Sequence, residues 1–286
     1  MTFGGILPLN NSLQETFYYK LERMFFSVFI FFICIFGLLG NGTVFCLLGF
    51  YIRKNCFATY ILNMAVADSG VLVLLQMFLQ INLNLFIVFD TIYSFMFCAS
   101  QFLLMVISMD RCVSVFFPLW HRCHRPTQLS TIICALIWAF SILPPVICFI
   151  IYKELFSSYV MLFQLAANGF LCFPLMTVSS LMLFIKVCCK SKQQRRGKLL
   201  ITILVTVFFF CFLCFPFNVV YAIYFFFHWK FTLYNYVKFC ACLNSSVNPL
   251  IYYLVGRPEK GHSNKKRQDK DAAGVPPNSL SCSLPF

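Results

Sequence analysis

The chain has 286 residues, of which 60% are apolar and only 11% charged, with 38 Phe and a formal net charge of +13. Soluble domains carry about 25% charged residues, and a compact fold of this size has too little interior to hide so much apolar surface from water, whereas a bilayer can. A soluble globular protein is excluded, and the basic residues are read by position, because in membrane chains they report topology.

Each membrane-spanning helix needs about 20 predominantly apolar residues. The charges fall between long neutral runs: residues 24–52, 126–152, 155–185, 199–229 and 239–256 contain no Asp, Glu, Lys or Arg. Between residues 55 and 121, length demands two spans, one on either side of Asp90. The expectation is an all-α, seven-helix bundle over 24–256, with an N-terminal segment 1–23 and a disordered tail 257–286. Of the 22 Lys and Arg, only Lys20, Arg23, Lys153, Lys230 and Lys238 fall outside if the N-terminus is extracellular and the C-terminus cytosolic, so this orientation satisfies the positive-inside rule. The basic segments are short and lie next to spans, which suits lipid headgroups and gives no nucleic-acid-binding face.

The N-terminal segment does not have a signal-peptide layout, since Asn10, Gln14, Glu15 and Lys20 interrupt it, and the first span is expected to serve as an uncleaved anchor. Asn10-Asn11-Ser12 is a glycosylation sequon on the expected outer side, whereas the sequons at Asn41 and Asn244 lie within spans. None of the 16 Cys falls in the expected outer segments, which excludes a loop-to-loop disulfide. Cys188 and Cys189, at a cytosolic helix end, are candidates for palmitoylation, with an unmodified pair as the alternative.

Ionisable groups inside a membrane are expensive and mark function by default. Asp68 lies mid-span, with no charge within ten residues on either side. Its candidate partners are Asn41, Ser100, Asn244, Ser245 and Asn248. Neutral oxygens around one carboxylate suit a small hard cation such as sodium, or a proton; a water-filled polar knot that only packs helices is the alternative. Asp110-Arg111 closes the third span at the cytosolic edge. Pro249 removes a donor from the last helix and frees a carbonyl that Asn248 and Ser245 can bond, and Pro174 and Pro216 place similar breaks in spans five and six. Three broken helices near a buried carboxylate suggest a bundle that can rearrange.

Gly40-Asn41, the run Leu62 to Asp68, Asp110-Arg111-Cys112, Trp138 and Asn248-Pro249-Leu250-Ile251-Tyr252 occur in an order that resembles the rhodopsin-like (class A) G-protein-coupled receptors. The stretch Asp110 to Pro126, together with Ile137-Trp138-Ala139, Val187-Cys188-Cys189 and Asn248 to Gly256, is similar to the Mas-related receptors of that class. The resemblance covers roughly residues 25–256. It implies a plasma-membrane receptor that binds an extracellular peptide or small molecule and activates a heterotrimeric G protein, without catalysis or an organic cofactor, and with sodium as an optional allosteric ion. It also implies an activation switch of Asp110, Arg111, Cys214, Pro216, Asn248, Pro249 and Tyr252, with Asp110 holding the resting state of Arg111. Arg111 and Pro118 would face the G protein, and Tyr93, Phe97, Asn218, Tyr221, Tyr234 and Lys238 would line the ligand pocket. Like Mas-related receptors, the chain has no cysteine where most class A members bridge span three to the second outer loop, the position being Phe86. Met182 stands where many members place a span-five tyrosine.

Other classes fit less well. A transporter would show two similar halves, and a non-signalling decoy receptor would share these motifs. An intramembrane aspartyl protease needs two facing carboxylates, yet Asp110 sits at the cytosolic edge beside Arg111. His121-Arg122-Cys123-His124 lacks the second ligand pair of a zinc site. Cys242 occupies the position where a retinal protein needs a lysine.

Overall fold

A computed structural model describes residues 7–51, 56–77, 83–126, 128–147, 150, 171–189 and 232–256. The expected sixth span, with Cys214, Pro216, Asn218 and Tyr221, lies outside the described residues. Within them run α1 (Leu7–Cys46), α2 (Cys56–Met77), α3 (Leu83–Phe116), a short loop helix (Pro118–Cys123), α4 (Leu129–Ser141), α5 (Phe173–Cys189) and α6 (Thr232–Gly256), the last being the expected seventh span. Among the described residues, four stretches are long and apolar enough to cross a membrane: Lys20–Phe50, Cys56–Met77, Val88–Phe116 and Leu129–Ile147.

Two boundaries differ from the sequence reading. The first helix already runs through residues 7–23, ahead of the expected residue 24, because the intervening Leu, Gln, Glu, Lys and Arg are good helix formers. At about 1.5 Å per residue its 40 residues extend roughly 60 Å, twice the hydrocarbon thickness, so its first turns stand clear of the bilayer. Likewise Asp90 does not separate two spans: α3 already runs from Leu83 and carries Asp90 on its exposed surface, where the carboxylate needs no burial.

Two apolar clusters hold the bundle. One joins α2, α3, α4 and α5 through Tyr60, Met64, Phe102, Leu103, Ile107, Cys134, Ile137 and Met176. The other joins α1, α2, α3 and α6 through Ile30, Cys34, Leu72, Leu75, Phe97, Ala241 and Cys242. The outward faces are apolar too, as at Phe25, Phe36, Leu39 and Phe140, which is what a lipid solvent requires. Close approach of α1 to α6 depends on Gly37, since a Cβ there would come within 2.3 Å of Ser246 Oγ.

Pro174 occupies the first turn of α5, and Leu171 and Cys172 just before it have the wider π-helical winding that accommodates a missing donor. Pro249, by contrast, lies inside α6.

Candidate functional site

Asp68 is fully buried on α2, and each of its oxygens is committed to a different helix. Ser100 Oγ on α3 donates to Oδ1 at 2.6 Å, and Asn248 Nδ2 on α6 donates to Oδ2 at 2.9 Å. Ser245 is buried beside the same carboxylate, its hydroxyl outside hydrogen-bond geometry. Asn41 and Asn244 are also buried. Asn41 Nδ2 donates to the carbonyls of Gly37 and Ser245, both at 3.0 Å. Ser245 is four residues before Pro249, so its carbonyl is the one that the proline deprives of a helical donor. The freed carbonyl is therefore bonded by Asn41 of α1; the expectation that Asn248 or Ser245 would bond it is corrected, because the Asn248 amide is spent on Asp68. Trp138 Nε1 on α4 donates to Asn63 Oδ1 at 3.0 Å, bringing a fourth helix onto α2. Asn63 was not singled out from sequence, although an amide one turn from Asp68 in an apolar run is a usable signal.

The residues present fit a small cation: one carboxylate and the hydroxyls of Ser100 and Ser245 converge in an apolar surround. Hydroxyls and amide carbonyls can turn their oxygens to such an ion, and Ser100, Ser245 and Asn248 carry them.

At the opposite end of α3, Asp110 is held differently from the expectation. Its ion pair among the described residues runs to Arg125, with Nη1 to Oδ1 at 2.6 Å, and Nε2 of His121 lies 3.6 Å from Oδ2. The neighbouring Arg111 places its guanidinium 4.8 Å from the ring centroid of Phe57 on α2. Pro118 opens the loop helix, where it needs no donor, and Phe117, Leu119 and Trp120 around it are exposed. Tyr252 lies in α6 three residues after Pro249. Met182 is on the exposed face of α5; one turn later, Lys186 Nζ donates to the Val115 carbonyl at 2.9 Å and sits 3.8 Å from the centroid of Phe116. Val115 is in the last turn of α3, whose carbonyls lack helical partners and attract a cation.

Towards the other end of the bundle, Tyr93 and Phe97 stack at 6.0 Å and are buried in the cluster with Leu72, Ala241 and Cys242. Lys238, half-buried on α6, stands near enough to Asp90 on α3 for each charge to act on the other. Tyr234 belongs to the first turn of α6. Asn10 lies in the first turn of α1, and Cys188 and Cys189 close α5.

A buried carboxylate on α2 tied to α3 and to an Asn-Pro segment of α6, with an Asp-Arg pair ending α3, is a constellation that comparison can place. The family described as 7 transmembrane receptor (rhodopsin family) matches residues 40–252. The chain belongs to the rhodopsin-like receptors. Its relatives place it in the Mas-related branch. It is 34% identical over 255 residues to Mas-related G-protein coupled receptor member X2 of Homo sapiens, covering 79% of this chain and 75% of that one. It is 33% identical over 267 residues to human member X1, covering 88% and 82%, and 33% identical over 237 residues to member B4 of Rattus norvegicus, covering 78% and 73%. This is therefore a G-protein-coupled receptor, a multi-pass protein of the plasma membrane, and not an enzyme.

Proposed function

We propose that this receptor takes up a peptide or small molecule at the outer end of the bundle and passes the event inward through the Asp68 network. The observation that carries this reading is that the two oxygens of Asp68 reach α3 and α6 separately. A shift of either helix must break or remake a bond to one buried carboxylate, so the network favours two discrete packings over a continuum. A ligand changes the balance by its differential affinity for the two. Asp90 and Lys238 place charges of opposite sign close together at the outer end, which favours ligands that present both.

Sodium at Asp68 belongs to the same proposal: the ion would supply positive charge that favours the packing in which Ser100, Ser245 and Asn248 surround the carboxylate. At the inner end, Arg111, Pro118 and the basic stretch from Lys190 to Lys198 would meet the G protein. The direct test is expression of the receptor with a panel of G proteins, challenged with peptide and small-molecule agonists and read by nucleotide exchange. Activation by at least one agonist that binds is expected. A bound agonist that activates no G protein would make the chain a decoy.

A further inference from the structure

We infer that Arg125 is the positioning residue of the second inner loop and the partner that holds Asp110 in the resting receptor. The inference rests on this loop facing the cytosol. Arg125 precedes Pro126, a placement that disfavours the α region and fixes a corner between the loop helix and α4. From that corner its side chain is only 4% exposed. Nη1 pairs with Asp110 Oδ1 of α3 at 2.6 Å and also meets Nε2 of His121 on the loop helix. Nη2 donates to Ser130 Oγ of α4 at 3.1 Å and to the Tyr60 hydroxyl of α2 at 3.3 Å.

One guanidinium thus ties together three spanning helices and the loop helix. Its planar fork is what permits this; an ammonium on a flexible stem holds Asp110 but cannot reach Ser130 and Tyr60 in the same geometry. Asp110 stands beside two arginines, and the one nearest in sequence, Arg111, has its guanidinium over Phe57. The carboxylate is taken by the arginine that comes back from the loop. The loop helix bearing Pro118, Leu119 and Trp120 is consequently fastened to the residue that neighbours the switch arginine. Breaking the fastening frees the loop and removes the anchor of Asp110 together.

The test measures basal nucleotide exchange on G protein per receptor at the surface, which requires no known agonist, in membranes carrying wild type, Arg125→Ala, Asp110→Asn and the double variant. Arg125→Ala and Asp110→Asn should raise basal exchange to similar levels, and the double variant should rise no further than either alone. Arg125→Lys, the variant least disruptive to folding, should lie between wild type and Arg125→Ala, and Tyr60→Phe should rise less than Arg125→Lys. Should Arg125→Ala fail to reach the surface, Arg125→Gln, which keeps a polar side chain but carries no charge for Asp110, decides the matter. Wild-type exchange in Arg125→Ala or Arg125→Gln while Asp110→Asn rises would overturn the assignment and return Asp110 to Arg111. Additive increases in the double variant would also overturn it, since two residues acting through one bond cannot add.

Discussion

Asn41 Nδ2 donates at 3.0 Å to the carbonyl of Ser245, the group that Pro249 leaves without a donor in its own helix. A break in α6 is thereby repaired from α1, and the two helices are locked in register where Gly37 lets them touch.

Loss of this repair should be measurable as stability. Asn41→Ala should cost about 0.6–2 kcal/mol, the range of interhelical hydrogen bonds in membranes, read as a lower midpoint in thermal denaturation of the purified receptor. Gly37→Ala should be worse, because its Cβ meets Ser246, while Gly42→Ala, with nothing within 4 Å, should be neutral or slightly stabilising. Equal effects at the two glycines would contradict the packing of α1 on α6.

Sodium should weaken agonist binding relative to an organic cation at matched ionic strength, and Asp68→Asn should abolish the difference. Ser100→Ala should reduce it without abolishing it. Identical agonist affinity in both salts for wild type would leave Asp68 a purely structural residue.

The basic residues predict an extracellular N-terminus. An epitope at residue 1 should be labelled on intact cells and one after residue 286 only after permeabilisation; the reverse pattern would invert every role assigned to the two ends of the bundle.

Arg111→Ala and Tyr252→Ala should lower agonist-driven G-protein activation while surface expression persists. Wild-type activation by Arg111→Ala would move the switch elsewhere.

At the outer end, Lys238→Ala should weaken agonists carrying a carboxylate, and Asp90→Asn those carrying an amine, as read in concentration–response curves. If both variants lose all agonists equally, the two charges serve each other and not the ligand.

The polar centre was legible in the sequence because an acid without charged neighbours inside an apolar run has few options, and the amides and hydroxyls able to meet it are scarce. Asp68, Ser100 and Asn248 accordingly converge. Asp90 is a poorer guide for a related reason: a charge does not end a helix when its side chain lies on an exposed face. The pairing of Asp110 with Arg125 was not legible, since fifteen residues separate them and only the path of the loop brings them to 2.6 Å. Lys186 was hidden likewise, because its acceptor is a main-chain carbonyl on another helix, which no side-chain pattern announces.

The division of the Asp68 oxygens between α3 and α6 carries a thermodynamic obligation. An agent that draws on this carboxylate, whether cation or proton, is linked to every ligand that moves either helix, and linkage is reciprocal. If an agonist lowers the affinity of the centre for an ion by some factor, the ion must lower the affinity for that agonist by the same factor. If the centre takes an ion as proposed, ionic composition is as much an input to the receptor as the agonist itself, and neither affinity has a meaning unless the concentration of the other species is stated.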